Sequence, residues 1–307
     1  MSMKPYHPFR SASARMRYLD YYDTKAETWP VQSHTRFVNT AFGKTYVRMS
    51  GPKDAPPLVL LHGGGGNSLQ WLPNIEALSR SYKVYAIDNI YDSGRSIYTH
   101  KIKKTDEFMD WLDELFVNLG LGNNIKLMGL SYGGWLTGQY ALRYQERLDK
   151  IVLIAPGGTV LPIRLVWIFR AILCMLPHRY FTRNFMYWLL ADWAKKDEDS
   201  RVALDAEIDG AILGLRSFKP KQLVKPTVIQ DADLQRIKIG VLFLVGENEK
   251  LYSARKAVQR LQRVAPHFKV EIIPNAGHDL TIVQAQMVNT KILKFLSGQT
   301  TSHRYDC

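Results

Sequence analysis

The fold is decided by residues 125–136, which have the sequence IKLMGLSYGGWL. The apolar run from Ile125 to Leu130 is followed by a serine between glycines and by a segment of helical periodicity, Gly133 to Tyr144. This pattern predicts a buried strand, a tight turn at Ser131 and a helix. The flanking glycines permit the close chain approach that such a turn requires. The Ser131 hydroxyl is therefore expected at the helix N-terminus, where backbone amides favour developing negative charge.

Short apolar runs alternate with amphipathic segments on both sides of this turn. Such alternation implies right-handed crossovers and a mostly parallel sheet covered on both faces. We therefore predict an α/β fold with a mostly parallel, eight-stranded sheet flanked by helices. The other predicted strands are Arg36–Thr40, Lys44–Ser50, Leu58–Leu61, Val84–Ile87, Ile151–Ala155, Val241–Val245 and Val270–Ile273, and the other predicted helices are Thr105–Leu119 and Ser253–Val264.

One long segment interrupts this alternation. Residues 160–235 contain no clear strand but many apolar and aromatic side chains in a helix-like series, which indicates a helical cap inserted between two strands. We therefore predict an N-terminal leader over residues 1–30 and an α/β core formed by residues 31–159 and 236–298. Residues 299–307 are predicted to be a flexible tail.

The composition excludes several classes of protein. The 307 residues are 46% hydrophobic and 11% aromatic, which suffices for a large core and argues against disorder. The formal charge of +13 favours attraction to anions, yet it is weak support for nucleic-acid binding, and we expect none. The two cysteines, Cys174 and Cys307, lie far apart in sequence and indicate neither a disulfide framework nor a thiolate metal site.

The chain has no clear targeting or membrane-spanning pattern. Its first thirty residues lack the apolar segment of a secretory signal, so we expect a cytoplasmic protein. The most apolar stretch, Leu165 to Leu176, is interrupted by Arg170 and is shorter than the ~20 residues of a membrane span, so no stable membrane insertion is expected. Arg164, Arg179 and Arg183 lie near this stretch and suggest docking on anionic lipid, with a solvated helix face as the alternative.

A serine hydroxyl becomes a good nucleophile only when a base accepts its proton. Residues 275–279, NAGHD, follow the last predicted strand and place His278 where open α/β sheets bind their ligands. His62 has a similar placement, but it precedes a glycine run and is expected to shape that loop. We predict Ser131 as nucleophile and His278 as general base. The alternatives are an incidental serine in a glycine-rich turn and an ordinary surface histidine.

The general base needs a carboxylate on its other ring nitrogen. Residues 245–249, VGENE, follow the penultimate strand and offer Glu247 and Glu249. Glu249 lies further into the loop and is able to turn toward His278, so we favour it over Glu247. Asp279 adjoins the histidine in sequence and is badly placed to bond its ring.

Acyl transfer also needs two backbone donors for the oxyanion. One is expected to be the amide of Tyr132, and the other the amide of Gly64 in the loop after the third strand. Four consecutive glycines, Gly63 to Gly66, give that loop the freedom to approach a substrate carbonyl. A phosphate-binding loop is the alternative, but neither G-x-G-x-x-G nor a G-K-[ST] ending is present.

Several motifs together carry a resemblance to a known family: GP at 51–52, DAPPLVLLHG at 54–63, Trp71 with PNI at 73–75, GLS at 129–131 with GG at 133–134, GE at 246–247 with Glu249, and NAGH at 275–278. On these residues the chain from about Trp29 to Leu296 resembles the α/β-hydrolase superfamily, and more narrowly the bacterial carboxylesterases of the naproxen-esterase type. The resemblance implies an α/β-hydrolase fold and ester hydrolysis through an acyl-enzyme, without metal or organic cofactor. A glutamate as the acid is a trait of that group and supports Glu249.

We therefore expect a serine carboxylesterase that acts on a small-molecule ester. The same side chains would serve a lactonase, a carbon–carbon bond hydrolase or a perhydrolase, and an inactive relative that only binds ligands is a further alternative. Two features depart from the group, namely the four glycines after His62 and a more aromatic, more basic cap. Because the glycines are able to widen the acyl pocket, the resemblance does not define the substrate.

Overall fold

The structure is a computed structural model that describes residues 4–176, 178–221 and 223–298. Nine strands in this part of the chain join one sheet, and together with the helices they confirm the predicted α/β class. The strands are β1 Ser33–Thr40, β2 Gly43–Ser50, β3 Pro57–Leu61, β4 Lys83–Ile87, β5 Ile97–Tyr98, β6 Ile125–Leu130, β7 Leu148–Ile154, β8 Gly240–Gly246 and β9 Lys269–Ile273.

Eight of these strands form a continuous path in the order β1-β2-β4-β3-β6-β7-β8-β9. Strands β1 and β2 pair antiparallel at one edge, β2 pairs antiparallel with β4, and all pairs from β4 to β9 along the path are parallel. The two-residue β5, which the sequence pattern did not indicate, pairs with β2 beside this path. Since β6, β8 and β9 run in the same direction, the loops that follow them emerge at the same edge of the sheet.

Twelve α-helices lie in the described residues. They are α1 Ala12–Glu27, α2 Leu72–Ser79, α3 Thr105–Asn118, α4 Tyr132–Arg143, α5 Leu165–Leu173, α6 Arg179–Leu189, α7 Ala191–Lys196, α8 Glu198–Ser217, α9 Asp231–Arg236, α10 Ala254–Val264, α11 Leu280–Val283 and α12 Ala285–Ser297. Local side-chain caps fix several starts: the Ser253 hydroxyl, for example, accepts from the amide of Lys256 at the start of α10.

The sheet divides the core into two apolar layers because alternate residues of a strand point to opposite faces. In β3, Val59 and Leu61 belong to the layer that contains Trp111 of α3 and Trp135 of α4. Leu58 and Leu60 belong to the opposite layer, together with apolar side chains of α2 and α12. The near-continuous apolar runs seen in the sequence therefore correspond to strands buried on both faces.

The leader contains a helix that the sequence pattern did not indicate. Helix α1 buries Ala14, Tyr18 and Tyr22, which lie four residues apart and thus on one helix face. The Tyr18 hydroxyl donates to the carbonyl of Ser93. Helix α1 therefore supports the loop after β4. The predicted tail at 299–307 lies outside the described residues.

Five helices, α5 to α9, lie between β7 and β8, in the segment predicted as the cap. Trp193 of α7 packs with Leu204 and Ile208 of α8 in a small apolar cluster of their own. The described helices include none with the length and apolar content needed to cross a bilayer.

Candidate active site

Ser131 occupies the turn between β6 and α4. Its backbone has φ of 55° and ψ of −114°, in the left-handed half of conformational space that non-glycine residues rarely adopt. Two hydrogen bonds of 2.9 Å hold it there, from the Ser131 amide to the carbonyl of Ile154 and from the amide of Gly157 to the carbonyl of Ser131. Neighbouring structure thus stabilises a conformation that costs about 1–3 kcal/mol in isolation.

The glycines on either side of this turn lie where no side chain fits. A Cβ atom at position 129 would lie 2.1 Å from the carbonyl oxygen of Gly133, and one at position 133 would lie 2.2 Å from the carbonyl oxygen of Leu61. Both clashes are with backbone atoms, which a small side-chain movement does not relieve. The G-x-S-x-G pattern therefore reflects the packing of α4 against β6 and β3.

The glycine loop after β3 lies against the serine turn. A Cβ atom on Gly63 would lie 3.4 Å from the Ser131 Cβ, and one on Gly64 would lie 3.5 Å from the Tyr132 Cβ. Both distances are ordinary van der Waals contacts. The structure therefore brings the two residues predicted as oxyanion donors, Gly64 and Tyr132, beside one another and beside Ser131.

Three of the four glycine amides in this loop already have acceptors. The Gly63 amide donates to Gln70 Oε1 at 2.6 Å, the Gly65 amide to the Asp92 carboxylate at 3.0 and 3.1 Å, and the Gly66 amide to the Gly63 carbonyl at 3.2 Å. The amide of Gly64 has no acceptor among the described residues. It is therefore available to a substrate oxygen.

Glu249 and His278 form a hydrogen-bonded pair. The Glu249 Oε2 lies 3.0 Å from the His278 Nδ1, while its Oε1 accepts from the amides of Lys250 at 2.7 Å and Leu251 at 2.8 Å. The Glu249 side chain is fully buried and the His278 side chain exposes 10% of its surface. The carboxylate is thus anchored by backbone on one oxygen and oriented toward the imidazole on the other.

Glu249 also determines the basicity of His278. Burial on its own would lower the pKa of the imidazole, but the charge and the hydrogen bond of Glu249, with a further contribution from Asp279, outweigh it. The pKa of His278 is raised above its usual 6.5 as a result. Such a shift is expected of an imidazole whose protonated form is stabilised by a carboxylate.

The two rejected acids have other partners. Glu247 is exposed and accepts from the amide of Asn275 at 3.3 Å. Asp279 is buried and accepts from the amides of Trp193 at 2.8 Å and Gly277 at 2.9 Å. Neither carboxylate has a hydrogen bond to the His278 ring in the described part of the chain.

Gly157 lies between the serine turn and the loop that carries Glu249. We call this loop, residues 247–251, the acid loop. A Cβ atom on Gly157 would lie 3.6 Å from the Leu251 Cδ2 and 3.7 Å from the carbonyl carbon of Ser131. Between the Ser131 hydroxyl and the His278 ring no hydrogen bond forms in the residues described. Catalytic hydrogen bonds are often long in ligand-free sites, so proton transfer between these side chains belongs to the proposal below.

Comparison with known proteins gives the family. The model of the alpha/beta hydrolase family matches residues 58–289. This chain belongs to the alpha/beta hydrolase family. Carboxylesterase YbfK of Bacillus subtilis (strain 168) is 34% identical over 294 residues, which cover 94% of this chain and 97% of that protein.

Two solved structures from the same species support this membership. The crystal structure of YbfK, also called CesB, has a TM-score of 0.85 and 32% identity, covering 94% of this chain and 100% of that chain. The crystal structure of naproxen esterase (carboxylesterase NP) has a TM-score of 0.85 and 30% identity, covering 93% of this chain and 99% of that chain. The resemblance inferred from sequence motifs is thereby confirmed.

Three side chains support this alpha/beta hydrolase site in roles that the sequence pattern did not indicate. Gln70 and Asp92 hold the amides that flank Gly64 in the glycine loop. Asp279 links the His278 loop to Trp193 in the cap. Gln70 precedes α2 and Asp92 follows β4, so a search for polar side chains near strand ends would have found the second of them.

The acid loop is tied to the cap as well. The side-chain nitrogen Nδ2 of Asn248 donates to both carboxylate oxygens of Asp192, at 3.1 and 3.2 Å. Asp192 is the second residue of α7. Together with the Asp279 contact to Trp193, this places α7 beside both loops of the Glu249–His278 pair. In the described residues no group of three or more histidine, cysteine, aspartate or glutamate side chains is arranged to hold a metal ion.

Proposed function

We propose that this chain is a serine carboxylesterase in which Ser131 is the nucleophile, His278 the general base and Glu249 the acid that orients the base. The observation that carries the proposal is the buried Glu249–His278 hydrogen bond of 3.0 Å, formed by loops at the sheet edge where the strained Ser131 turn also lies. Relatives that match more than nine-tenths of the chain carry the name carboxylesterase, which supports the same reaction.

Acylation begins when the Ser131 hydroxyl attacks the carbonyl carbon of the ester. The unprotonated Nε2 of His278 accepts the hydroxyl proton, and the imidazolium that forms is stabilised by the Glu249 carboxylate on Nδ1. The pKa of His278, raised by this carboxylate, makes the ring a better proton acceptor than a free imidazole. Glu249 stays ionised throughout.

The tetrahedral intermediate carries its negative charge on the former carbonyl oxygen. The amides of Gly64 and Tyr132 donate to this oxygen, and removing one such donor typically costs about 10²–10³ in kcat. His278 then protonates the leaving alcohol. In the second half of the reaction, His278 takes a proton from water, the hydroxide formed attacks the acyl-enzyme, and the carboxylic acid leaves as Ser131 regains its proton.

Hydrolysis of p-nitrophenyl butyrate by purified protein tests the proposal. Ser131→Ala is expected to lower kcat by about 10⁴-fold or more, because covalent catalysis is lost while the fold is kept. The matched control is Ser81→Ala, the same change at an exposed turn serine, which is expected to leave kcat unchanged. Turnover by Ser131→Ala at the wild-type rate would refute the mechanism. A wild-type protein without activity on any ester would instead favour a binding role.

Three further expectations stay predictions within this proposal. The substrate is a small-molecule ester, and nucleic acid is not a ligand. The protein is located in the cytoplasm. Cell fractionation with an antibody against the chain tests the location, and recovery outside the cell would contradict it.

A further inference from the structure

Eight of the nine residues of helix α5 in the cap are apolar, the exception being Arg170, and yet none of the nine is buried. Leu165 exposes 81% of its surface, Phe169 exposes 64%, and Met175, just beyond the helix, exposes 76%. A helix that is hydrophobic all round is normally buried in a core or in lipid. We define the α5 face by its exposed side chains, which are Leu165, Val166, Ile168, Phe169, Ile172, Met175 and Leu176.

The α5 face lies in a part of the chain that has basic residues and no acidic ones. No acidic residue occurs between Lys150 and Asp192, whereas four arginines do, namely Arg164, Arg170, Arg179 and Arg183. Arg179 and Arg183 pair with aspartates of α8, and the Arg170 guanidinium lies 4.9 Å from the ring centre of Trp188. Arg164, directly before α5, is exposed and has no ion pair among the described residues, and the chain as a whole carries a net charge of +13.

We infer that the α5 face is a docking site for an anionic lipid surface. Exposed apolar side chains next to arginines match the two forces that hold an amphipathic helix in the interface, namely apolar burial and attraction to acidic headgroups. A nine-residue helix is about 13 Å long, too short to span the ~30 Å hydrocarbon core, so it lies along the surface. Tyr180, at the start of α6, exposes 61% of its surface, as is usual for an aromatic ring at headgroup depth.

A second copy of this chain fits the face less well. Closed homodimers bring the same patch of both subunits together about a two-fold axis. Arg164, which has no ion pair among the described residues, would then approach its own copy with no acidic residue of the same segment beside it. Lipid phosphates supply the missing negative charge.

Docking on lipid would bring the surface close to the candidate active site. The amide of Arg164, directly before α5, donates to the Leu251 carbonyl at 2.8 Å, and the Leu251 amide donates to Glu249 Oε1. An ester dissolved in the lipid would therefore enter beside the acid loop. This consequence for the substrate rests on the proposed function, whereas the docking does not.

Flotation with phosphatidylglycerol vesicles tests the inference, with phosphatidylcholine vesicles as the neutral comparison. The full chain is expected to float with the anionic vesicles at low ionic strength and to be released by salt. The double variant Leu165→Ser/Phe169→Ser is expected to bind at least about tenfold more weakly, because both side chains lose apolar burial. Arg164→Gln is expected to weaken binding about fivefold.

The matched control is Met16→Ser/Val202→Ser, which removes two equally exposed apolar side chains from α1 and α8 and should leave flotation unchanged. These variants of α5, Arg164 and the control positions should hydrolyse a water-soluble ester as the wild type does, which verifies their folding. The inactive Ser131→Ala should still float, so docking and catalysis are tested separately. Absence of wild-type flotation at low salt, or equal flotation of the Leu165→Ser/Phe169→Ser variant, would overturn the inference. A concentration-dependent dimer that this double variant dissolves would assign the face to a second copy instead.

Discussion

The loops around Ser131 and the cap helix α5 differ in how firmly the rest of the chain holds them. At the serine turn, two backbone hydrogen bonds hold Ser131 at a φ of 55°, and a Cβ atom on Gly129 or Gly133 would clash with neighbouring backbone atoms. Helix α5 buries none of its residues and has apolar side chains toward solvent. Packing therefore preorganises the site, whereas α5 presents an apolar surface for contact with something outside the chain.

Preorganisation extends to the acid. Glu249 has both oxygens engaged, one by two amides and one by His278. A carboxylate held in this way spends no energy on reorientation when the imidazolium forms. We therefore expect small changes near Ser131 to have large effects on kcat and on the free energy of unfolding, and large changes on α5 to have small effects on both.

After Ser131→Ala, the largest effect on kcat is expected for Glu249→Gln. The amide cannot stabilise the imidazolium and is able to stabilise the wrong tautomer of His278, so kcat should fall by about 10⁴-fold. The control is Glu247→Gln, the same change two residues earlier on an exposed side chain, which should leave kcat unchanged. Steady-state kinetics with p-nitrophenyl butyrate measures both. Loss of activity in Glu247→Gln with an active Glu249→Gln would move the acid to Glu247.

Adding one methyl group at the serine turn should lower the free energy of unfolding more than removing a whole aromatic ring from α5. Gly133→Ala forces a Cβ atom to within 2.2 Å of the Leu61 carbonyl oxygen, and we expect it to lower the free energy of unfolding by about 3 kcal/mol. Phe169→Ser should change it by less than about 0.5 kcal/mol, because the ring is largely exposed already. Urea denaturation followed by circular dichroism measures both, and a reversed order would contradict the comparison.

The pH dependence of kcat/KM tests whether Glu249 raises the pKa of His278. His278 must be unprotonated to accept the serine proton, so activity is lost as pH falls through its pKa. Since burial lowers this pKa and Glu249 more than restores it, the midpoint of the acid limb should lie above 6.5 in the wild type. Without the Glu249 charge only burial and Asp279 act, and the midpoint of Glu249→Gln should lie at lower pH. An unchanged midpoint would show that Glu249 does not raise the pKa of the general base.

Much of the fold and part of the site were predictable from the sequence because they depend on local patterns. The parallel strands are short apolar runs; Ser131 follows β6 directly, and His278 lies in the loop after β9. The strand predicted to end at Ala155 stops at Ile154, since Ala155 takes a positive φ of 39°. Glu249 was chosen partly through the family resemblance.

The remaining parts depend on which loops the sheet order brings together. Asp92 reaches the glycine loop because β4 and β3 are neighbours in the sheet, which no local pattern specifies. Helix α1 carries a signal in Tyr18 and Tyr22, four residues apart, but the apolar stripe is narrow and partly aromatic. The exposure of α5 follows from no apolar pattern, because an apolar helix is expected to be buried, although the arginines near it had suggested docking on anionic lipid.

The location of a covalent adduct decides whether Ser131 carries the acyl group. The wild-type protein is treated with a fluorophosphonate ester, which traps activated serines, and is then digested for peptide mass spectrometry. We expect one modified residue, Ser131. The Ser131→Ala variant should form no adduct, and Glu249→Gln should be labelled much more slowly than the wild type. An adduct at another residue, or ester hydrolysis that persists after complete labelling of Ser131, would contradict it.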